Sequence, residues 1–420
     1  MKLLVALHDY LPGHVGGSEI HAHQVARELA RRGHEVTALF TERDLAAPEG
    51  DLREGELDGV RTLEVVHQRE YADVRESWRQ SLAGEALRAV LADLRPDCVH
   101  FHHLSLWGSG AVPSAQAMGA RTVLTLHDYH LICDNAVLLR DDGELCTAGP
   151  RGECTHCLRR HPLRPERWGE EAAGRDLEEL WADAARGRLE QHRGDLRAAD
   201  RVVCPSRFLA DRFLEAGLVT EEQVEVLRYG YPGERREPRR SDPGQPLRVG
   251  YVGGVYTSKG VHVLVEAFRH LEGVPAELAV WGALDWFPDY VAHLRELAEG
   301  RPVSFRGRYD PARVDEVMAG FDVLVVPSLW YENLPLTIQE AFRNGLPVVT
   351  TDLGGMAESV EHGVSGMRFP RGDAEALAAC LRELAQDREL LHRLASGRPE
   401  VPELGPVVDR LEELYARPSP

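Results

Sequence analysis

The sequence has almost no lysine and no long apolar run. All but two of its 49 basic residues are arginine, and the two lysines are Lys2 and Lys259. No apolar run approaches the roughly 20 residues that span a bilayer. The apolar start of the chain, residues 3–7, ends at His8 and Asp9 without the pattern of a secretory signal. The sequence therefore predicts a cytoplasmic protein without a transmembrane segment.

Positive charge is also scarce relative to negative charge. The chain has 68 acidic residues against 49 basic ones, which gives a formal net charge of −19. Such a chain repels the phosphates of nucleic acids and anionic lipids, so we expect no nucleic-acid partner. With 420 residues, 43% of them hydrophobic, the chain is long and apolar enough to form two globular domains.

Short apolar runs alternate with helical patterns along the chain. Each run has the length of a buried strand, and many are followed by glycine and then by an amphipathic stretch. Strands that alternate with helices predict an α/β fold with mostly parallel sheets. We predict strands at residues 3–8, 35–40, 98–101, 122–126 and 201–205, and then at 247–252, 278–281, 303–305, 322–326 and 347–350.

A linker composition divides these elements into two groups. Residues 231–246 hold four prolines, two glycines and many charges, which is typical of a domain linker. We predict an N-terminal domain over 1–235 and a C-terminal domain over 236–400. Residues 401–420 form a helical tail that could pack back on the N-terminal domain.

The segment 250–268 has the pattern of a phosphate-binding turn. A strand runs into Gly253 and Gly254, and Lys259 lies in the first turn of the predicted helix. A cation there opposes the helix dipole, so its placement favours an anion bound at the start of the helix. The alternative is an ordinary solvated lysine.

Two glutamates lie eight residues apart on one strand-to-helix crossover, within residues 321–355. Glu332 is in the predicted loop and Glu340 in the predicted helix. Ligands of open α/β sheets bind at the carboxyl ends of the strands, where such carboxylates can accept hydrogen bonds from sugar hydroxyls. The alternative for each is a solvated surface glutamate.

The stretch from Glu332 to Glu340 resembles the Glu-x7-Glu motif of retaining glycosyltransferases of family 4. These have the GT-B fold, in which two Rossmann-like parallel-sheet domains face each other across a cleft. Seven further segments match the family in the same order, so the resemblance covers nearly the whole chain. They are Gly16-Gly17, 31–36, 124–128, Lys259-Gly260, 325–328, 341–355 and 361–369.

The resemblance implies a hexosyltransferase that uses a nucleotide diphosphate sugar, with UDP- or GDP-sugars expected first. It implies that Lys259 binds the diphosphate, Glu332 contacts the transferred sugar, and Glu340 holds the ribose. His127 would face the donor sugar, which makes Glu332, Lys259 and His127 the catalytic candidates. The implied donor-binding backbone comprises Gly253, Gly254, Asn333 and Leu334.

The sequence departs from the family at one position of the phosphate site. Family members often carry a basic residue five positions before the lysine, where this chain has Gly254. Arg306 or Arg308, in the loop after the 303–305 strand, could supply a second cation, and we take Arg306 as the candidate.

The resemblance also implies retention of the anomeric configuration by reaction on one face of the sugar, without a covalent intermediate. No Asp-x-Asp motif follows a strand, so we expect no metal or other cofactor for catalysis. The expected acceptor is a carbohydrate or small molecule bound by the N-terminal domain. The candidates for acceptor binding are Gly16, Gly17, His102 and Asp128.

Four of the seven cysteines cluster in an insert over residues 133–157. They are Cys133, Cys146, Cys154 and Cys157. In a cytoplasmic protein such a cluster favours a structural zinc site over disulfides. His156 is a substitute ligand, and the alternatives are free thiols or one disulfide.

Two other functions remain open from the sequence. One is a sugar-nucleotide epimerase or a phosphorylase, because the same fold carries these activities and fold alone does not decide chemistry. The other is a catalytically inactive protein that binds a nucleotide sugar, which Gly254 would explain.

Overall fold

The computed structural model describes residues 1–68, 78, 82–140, 142–147, 154, 157, 175–238 and 240–416. The chain divides into two compact units. Unit 1 comprises Met1–Pro232 with Pro402–Pro420, and unit 2 comprises Gly233–Val401. The predicted boundary between residues 235 and 236 lies just after this division.

Unit 1 is built on an eight-stranded sheet in the order β3-β4-β2-β1-β5-β6-β7-β8. All neighbouring strands are parallel except β3, which runs antiparallel to β4. The strands are β1 Lys2–Ala6, β2 Glu35–Arg43, β3 Leu52–Leu57, β4 Val60–His67, β5 Cys98–Phe101, β6 Arg121–Thr125, β7 Arg201–Cys204 and β8 Val224–Val226. The helices before the linker are α1 Gly17–Arg31, α2 Leu82–Leu94, α3 Ala111–Ala117, α4 Leu177–Ala198 and α5 Arg207–Glu215.

Unit 2 contains a six-stranded, fully parallel sheet in the order β11-β10-β9-β12-β13-β14. Its strands are β9 Leu247–Val252, β10 Ala276–Trp281, β11 Val303–Gly307, β12 Val323–Val326, β13 Val348–Thr351 and β14 Gly366–Phe369. Its helices are α6 Val261–Ala267, α7 Pro288–Leu297, α8 Val314–Met318, α9 Leu336–Arg343, α10 Gly354–Ser359, α11 Ala374–Gln386 and α12 Arg388–Ser396.

The central strands of both sheets are buried on both faces. All four residues of β12 and of β13 are buried, as expected for parallel strands covered by helices on both sides. The strand ends are therefore where polar side chains can reach a ligand. Within the described part of the chain, no helix is long and apolar enough to cross a bilayer.

The last helix, α13 Leu404–Tyr415, packs within unit 1. Its apolar face joins the buried cluster that contains Val25 and Leu29 of α1. The Tyr415 hydroxyl lies 2.7 Å from Nδ1 of His100 on β5. The C-terminal helix is therefore part of the unit 1 core.

Candidate functional site

The order of strands in unit 2 brings Lys259 and Glu332 together. β9 lies between β10 and β12 in the sheet. The chain continues from β9 to β10 on one side of β9 and later returns to form β12 on the other side. A topological switch point therefore lies between β9 and β12. Lys259 follows β9 in the 3-10 turn Thr257–Lys259, and Glu332 lies in the loop after β12. Lys259 Nζ donates a hydrogen bond to Glu332 Oε1 at 2.6 Å.

Three more side chains surround this ion pair. Ser328 Oγ donates to the same Glu332 oxygen at 2.6 Å, and Lys259 Nζ lies 5.2 Å from the centroid of the Trp330 ring and 6.0 Å from that of the Tyr256 ring. Burial alone would lower the pKa of Lys259, but the Glu332 carboxylate raises it above its usual value. Lys259 is therefore a charged ammonium group at neutral pH, placed to bind an anion.

The two loops that carry the pair are held in close backbone contact. Gly260 has a φ of 69°, and a Cβ there would lie 2.0 Å from the carbonyl oxygen of Pro327. The amide of Leu329 donates to the Ser258 carbonyl at 2.8 Å. Gly260 ends the 3-10 turn and is the N-cap residue of α6. Lys259 therefore precedes the α-helix, whereas the sequence predicted it in the first helical turn.

The loop after Glu332 is fixed by the start of α10. The amide of Gly355 donates to the Glu332 carbonyl at 2.8 Å, and a Cβ at Gly355 would lie 1.6 Å from the carbonyl oxygen of Asn333. Asn333 and Leu334 are both buried. The predicted donor-binding backbone thus lies directly beside the Lys259–Glu332 pair.

Glu340 lies on α9, eight residues after Glu332, and is 6% exposed. Burial raises the pKa of Tyr309, and the nearby Glu340 carboxylate raises it further. Tyr309 also makes an edge contact with Trp281, with ring centroids 6.3 Å apart. Glu340 therefore lies beside the aromatic pair of Trp281 and Tyr309 at the ends of β10 and β11. No local pattern in the sequence predicted this pair.

Gly254 is explained by the packing of Tyr256. An ideal Cβ at Gly254 would lie 2.4 Å from the Tyr256 ring, and the Gly254 carbonyl accepts a hydrogen bond from the Tyr251 hydroxyl at 2.6 Å. The neighbouring Gly253 has a φ of 151°. A basic side chain at residue 254 would require the Tyr256 ring to move.

The structure does not bring the predicted second cation to the pair. Arg306 is on the edge strand β11, where its Nε donates to Ser304 Oγ at 3.1 Å. With Arg248, Glu277 and Trp281 it lines a surface pocket that does not include Lys259 or Glu332. Arg308 is held by Asp285 at 2.8 Å.

In unit 1, His102 and His127 form a hydrogen-bonded chain with Tyr229. His102 Nδ1 lies 3.0 Å from His127 Nε2, and His127 Nδ1 lies 2.6 Å from the Tyr229 hydroxyl. Burial and neighbouring imidazoles lower the pKa values of both histidines well below their usual range, so both are neutral. Because both nitrogens of His127 have partners within unit 1, its implied role toward a donor sugar stays a prediction.

Asp128 is paired with His103, the residue that follows the acceptor candidate His102. His103 Nε2 lies 3.3 Å from Asp128 Oδ2, and the amide of His130 donates to Asp128 Oδ1 at 2.7 Å. Although burial alone would raise it, the pKa of Asp128 is lowered by His103 and this amide. Asp128 is therefore an ionised carboxylate next to the ends of β5 and β6.

Gly16 and Gly17 lie at the start of α1, beside a group that the sequence analysis missed. A Cβ at Gly16 would lie 2.3 Å from Glu19 Oε2, so glycine allows this buried carboxylate to fold back over the turn. Glu19 Oε1 lies 3.7 Å from Nε2 of His8, which follows β1. Burial lowers the pKa of His8 to about 3, so its imidazole is neutral.

Among the described residues, none of the four cysteines of the insert forms a disulfide. Cys146 pairs back on Leu138, whose carbonyl accepts its amide at 2.8 Å. Burial raises the pKa of Cys154 to about 11, and Cys133, Cys146 and Cys157 contribute in the same direction. Much of the predicted insert, including His156, lies outside the described residues.

Comparisons with known proteins agree with this arrangement. Residues 15–235 match the family model "Glycosyltransferase Family 4", and residues 246–387 match "Glycosyl transferases group 1". The chain is 25% identical over 419 residues to a glycogen synthase of Mycobacterium tuberculosis, which covers 94% of this chain and 88% of that protein. It is 33% identical over 217 residues to the amylovoran biosynthesis glycosyltransferase AmsK of Erwinia amylovora, which covers 47% and 51%.

Solved structures show the same fold. Anabaena Alr3699/HepE in complex with UDP and glucose has a TM-score of 0.65 and 18% identity, covering 98% of both chains. Sucrose-phosphate synthase of Thermosynechococcus elongatus has a TM-score of 0.70 and 19% identity, covering 99% of this chain and 98% of that one. The predicted GT-B fold is thereby confirmed, as is the prediction of a glycosyltransferase. Because a family model spans more than half of its residues, the chain belongs to glycosyltransferase family 4.

Proposed function

We propose that the enzyme is a retaining hexosyltransferase that moves a sugar from a UDP- or GDP-sugar to a hydroxyl of a carbohydrate or small-molecule acceptor. The observation that carries this proposal is the Lys259–Glu332 ion pair, with its 2.6 Å contact at the switch point of unit 2. The similar HepE structure, which contains UDP and glucose, supports a nucleotide-sugar donor.

In the proposed reaction the charged Lys259 stabilises the diphosphate as it leaves. Its side chain is 21% exposed, so a phosphate oxygen can reach the ammonium group and compete with Glu332 for its protons. Preorganised charge of this kind commonly makes the greatest single contribution to catalysis. The departing phosphate oxygen would accept the proton of the acceptor hydroxyl on the same face of the sugar.

Glu332 is better suited to hold the sugar than to attack it. Two donors, Lys259 Nζ and Ser328 Oγ, already bind its Oε1, and such hydrogen bonds reduce the nucleophilicity of a carboxylate. Its role would be to accept hydrogen bonds from sugar hydroxyls, while Glu340 on α9 would hold the ribose. This division favours retention without a covalent glycosyl-enzyme.

Acceptor binding is proposed for unit 1. The ends of β1, β5 and β6 carry Gly16, Gly17 and Asp128 among neutral imidazoles. His102 is fully buried and would contribute through its hydrogen bond to His127. Such groups can both donate to and accept from polyol hydroxyls. They offer several hydrogen bonds and few apolar contacts, as suits a carbohydrate.

The test is donor binding followed by the stereochemistry of the product. A ligand that binds the native state raises its stability, by about 2.7 kcal/mol when present at 100 times its Kd. We expect UDP or GDP to raise the melting temperature of the wild type but not of Lys259→Ala or Glu340→Gln. The product formed from an α-linked donor should be α-linked by NMR.

Two outcomes would contradict the proposal. A melting temperature unmoved by every nucleoside diphosphate would remove the donor site, and a β-linked product would remove retention. A sugar altered by the enzyme without any acceptor would indicate an epimerase instead.

A further inference from the structure

Three side chains of metal-ligand type converge in unit 1 where β1 ends. His8 Nε2 lies 3.5 Å from Asp9 Oδ2 and 3.7 Å from Glu19 Oε1. The three atoms all lie within 4.8 Å of one another, and no other His, Cys, Asp or Glu group among the described residues brings three ligand atoms as close. Both distances exceed those of good hydrogen bonds, so the contacts of His8 with the two carboxylates are loose ones at ion-pair distance.

The cluster holds a buried carboxylate whose nearby cationic group, the imidazole of His103, is already hydrogen-bonded to Asp128. The Glu19 side chain is 6% exposed, and Ser18 Oγ donates to its Oε1 at 2.9 Å. In the part of the chain that the structure describes, Glu19 forms no ion pair with any arginine or lysine. Burying a carboxylate is costly unless a cation compensates it, and Asp9 adds a second negative charge nearby.

One polar atom of the cluster also has no partner. Nδ1 of His8 is buried and makes no hydrogen bond to the described residues. If Nδ1 carries the proton, the lone pair of Nε2 points toward two carboxylate oxygens. That arrangement is unfavourable unless a positive charge lies between them.

The spacing fits a tetrahedral ion. Ligand bonds of about 2.1 Å at tetrahedral angles separate two ligand atoms by about 3.4 Å, whereas octahedral Mg²⁺ would bring them to about 2.9 Å. The distances from His8 are close to the tetrahedral value. The side chains of His8 and Asp9 are 24% and 30% exposed, so an ion can enter from solvent.

We propose that His8, Asp9 and Glu19 bind a divalent transition-metal ion of the zinc type, with one coordination position open. Ser18 would orient the Glu19 carboxylate through its hydrogen bond. β1 and β5 are the strands between which the chain order of this sheet reverses, which is where open α/β sheets bind ligands. The site is separate from the four cysteines of the insert.

Cobalt(II) titration of the full chain tests the proposal, because cobalt reports its own ligands. We expect one tight Co²⁺ with visible d–d absorption and without the near-ultraviolet band of thiolate-to-cobalt charge transfer when the titration is done on a Cys154→Ser/Cys157→Ser background, which removes the thiolate ligands of the insert. Asp9→Asn and Glu19→Gln preserve the shape of the side chains and should each weaken cobalt binding by at least roughly 100-fold. Losing a group that only orients a metal ligand costs up to about 100-fold, so a greater loss indicates a direct ligand. Glu42→Gln, which removes a nearby carboxylate that contacts His14 at 3.1 Å, should bind cobalt as the wild type does.

Circular dichroism and the metal-free melting temperature establish that each variant is folded. Cobalt that binds only with the thiolate band would overturn the site. The same conclusion would follow if folded Asp9→Asn and Glu19→Gln kept the wild-type affinity. Loss of binding in both variants with retention in Glu42→Gln would support it.

Discussion

Lys259 and Lys2 are the two lysines of the chain, and they lie in very different surroundings. Lys2 opens β1, is 38% exposed and lies 3.7 Å from Glu35, whereas Lys259 is held by Glu332. Lys259→Ala should lower kcat/KM by roughly 10²- to 10³-fold, the typical cost of losing one preorganised group that stabilises transition-state charge. Initial rates measured with saturating acceptor would give this ratio.

Lys2→Ala is the matched control and should leave the rate within about twofold of the wild type. If Lys259→Ala kept wild-type kcat/KM, Lys259 would not stabilise the leaving group. An equal loss in both lysine variants would indicate a general effect on folding.

Gly260 gives a second test at this site, through the backbone. Its φ of 69° and the 2.0 Å approach of an added Cβ to the Pro327 oxygen predict two separate penalties for Gly260→Ala. The left-handed backbone costs about 1–2 kcal/mol, and relieving the clash costs about 1–3 kcal/mol more. Urea unfolding would measure the sum, and the nucleotide-induced rise in melting temperature should disappear.

Gly300→Ala separates the two penalties. Gly300 has nearly the same φ, 71°, and a Cβ added there would meet no atom within 4 Å, so only the backbone penalty applies and nucleotide binding should persist. If Gly260→Ala and Gly300→Ala destabilised the protein equally, the close approach of Gly260 to the Pro327 carbonyl would not be needed by the loops around Lys259.

The sequence predicted the charged pair of this site better than its neighbours. Lys259 and Glu332 each follow a predicted strand. Because the carboxyl ends of parallel strands lie at the same edge of a sheet, the strand order explains why the two side chains are close. Ser328, Tyr256 and Tyr309 depend on how loops pack, which short-range patterns do not encode. The space that a side chain at Gly254 would need is likewise taken by a ring two residues away.

Among the secondary-structure elements, the main omission from the sequence analysis is the hairpin of β3 and β4. Its turn residues Asp58 and Gly59 have φ values of 49° and 81°, as a two-residue type I′ turn requires. An Asp-Gly pair between alternating apolar residues is a signal for such a turn and could have revealed it. The predicted strand 247–252, by contrast, coincides with β9, because Pro246 before it and Gly253-Gly254 after it leave little choice of boundary.

The cysteine-rich insert over residues 133–157 gives a further prediction. We propose that Cys133, Cys146, Cys154 and Cys157 bind one structural zinc ion. The other three thiols all raise the pKa of Cys154, but no three of the four sulfur atoms, all of which the structure describes, lie within 4.8 Å of one another, so zinc binding would draw them together. Purified protein should lose one equivalent of zinc in Cys154→Ser or Cys157→Ser, measured by mass spectrometry of the metal content. Cys380→Ser, which changes a buried cysteine on α11 of unit 2, should keep its zinc.

Equal zinc content in all three cysteine variants would refute this site. The comparison holds whether or not the proposed site at His8 also carries a metal, because only the loss caused by the cysteine changes is counted.

Across the whole molecule, buried histidines are concentrated in unit 1. His21, His100, His102 and His192 are all at most 4% exposed, and burial is the largest cause of their lowered pKa values. In unit 2 the described histidines are less buried, and the pKa of His262 is lowered by burial to a smaller extent. The two units should therefore respond differently to acid.

Unit 1 should lose stability as the pH falls below about 6.5. Burial lowers the pKa values of His21 and His100 to about 3, while the unfolded chain titrates near 6.5. Between these values the unfolded state binds the extra proton, so each group reduces the free energy of unfolding by about 1.4 kcal/mol per pH unit. Hydrogen exchange at pH 7.5 and pH 5, corrected for intrinsic rates, should show lost protection in unit 1 peptides and much less in unit 2 peptides.

Two histidine variants show whether the buried imidazoles cause this difference. His100→Gln can still hydrogen-bond the Tyr415 hydroxyl and Thr125 Oγ1, which lie 2.7 Å from the imidazole nitrogens, but it cannot titrate. It should therefore flatten the pH dependence of unit 1 by about one proton. His270→Gln, at an exposed position of unit 2, should change nothing. Parallel loss of protection in both units, or an unchanged slope in His100→Gln, would assign the acid sensitivity to carboxylates instead.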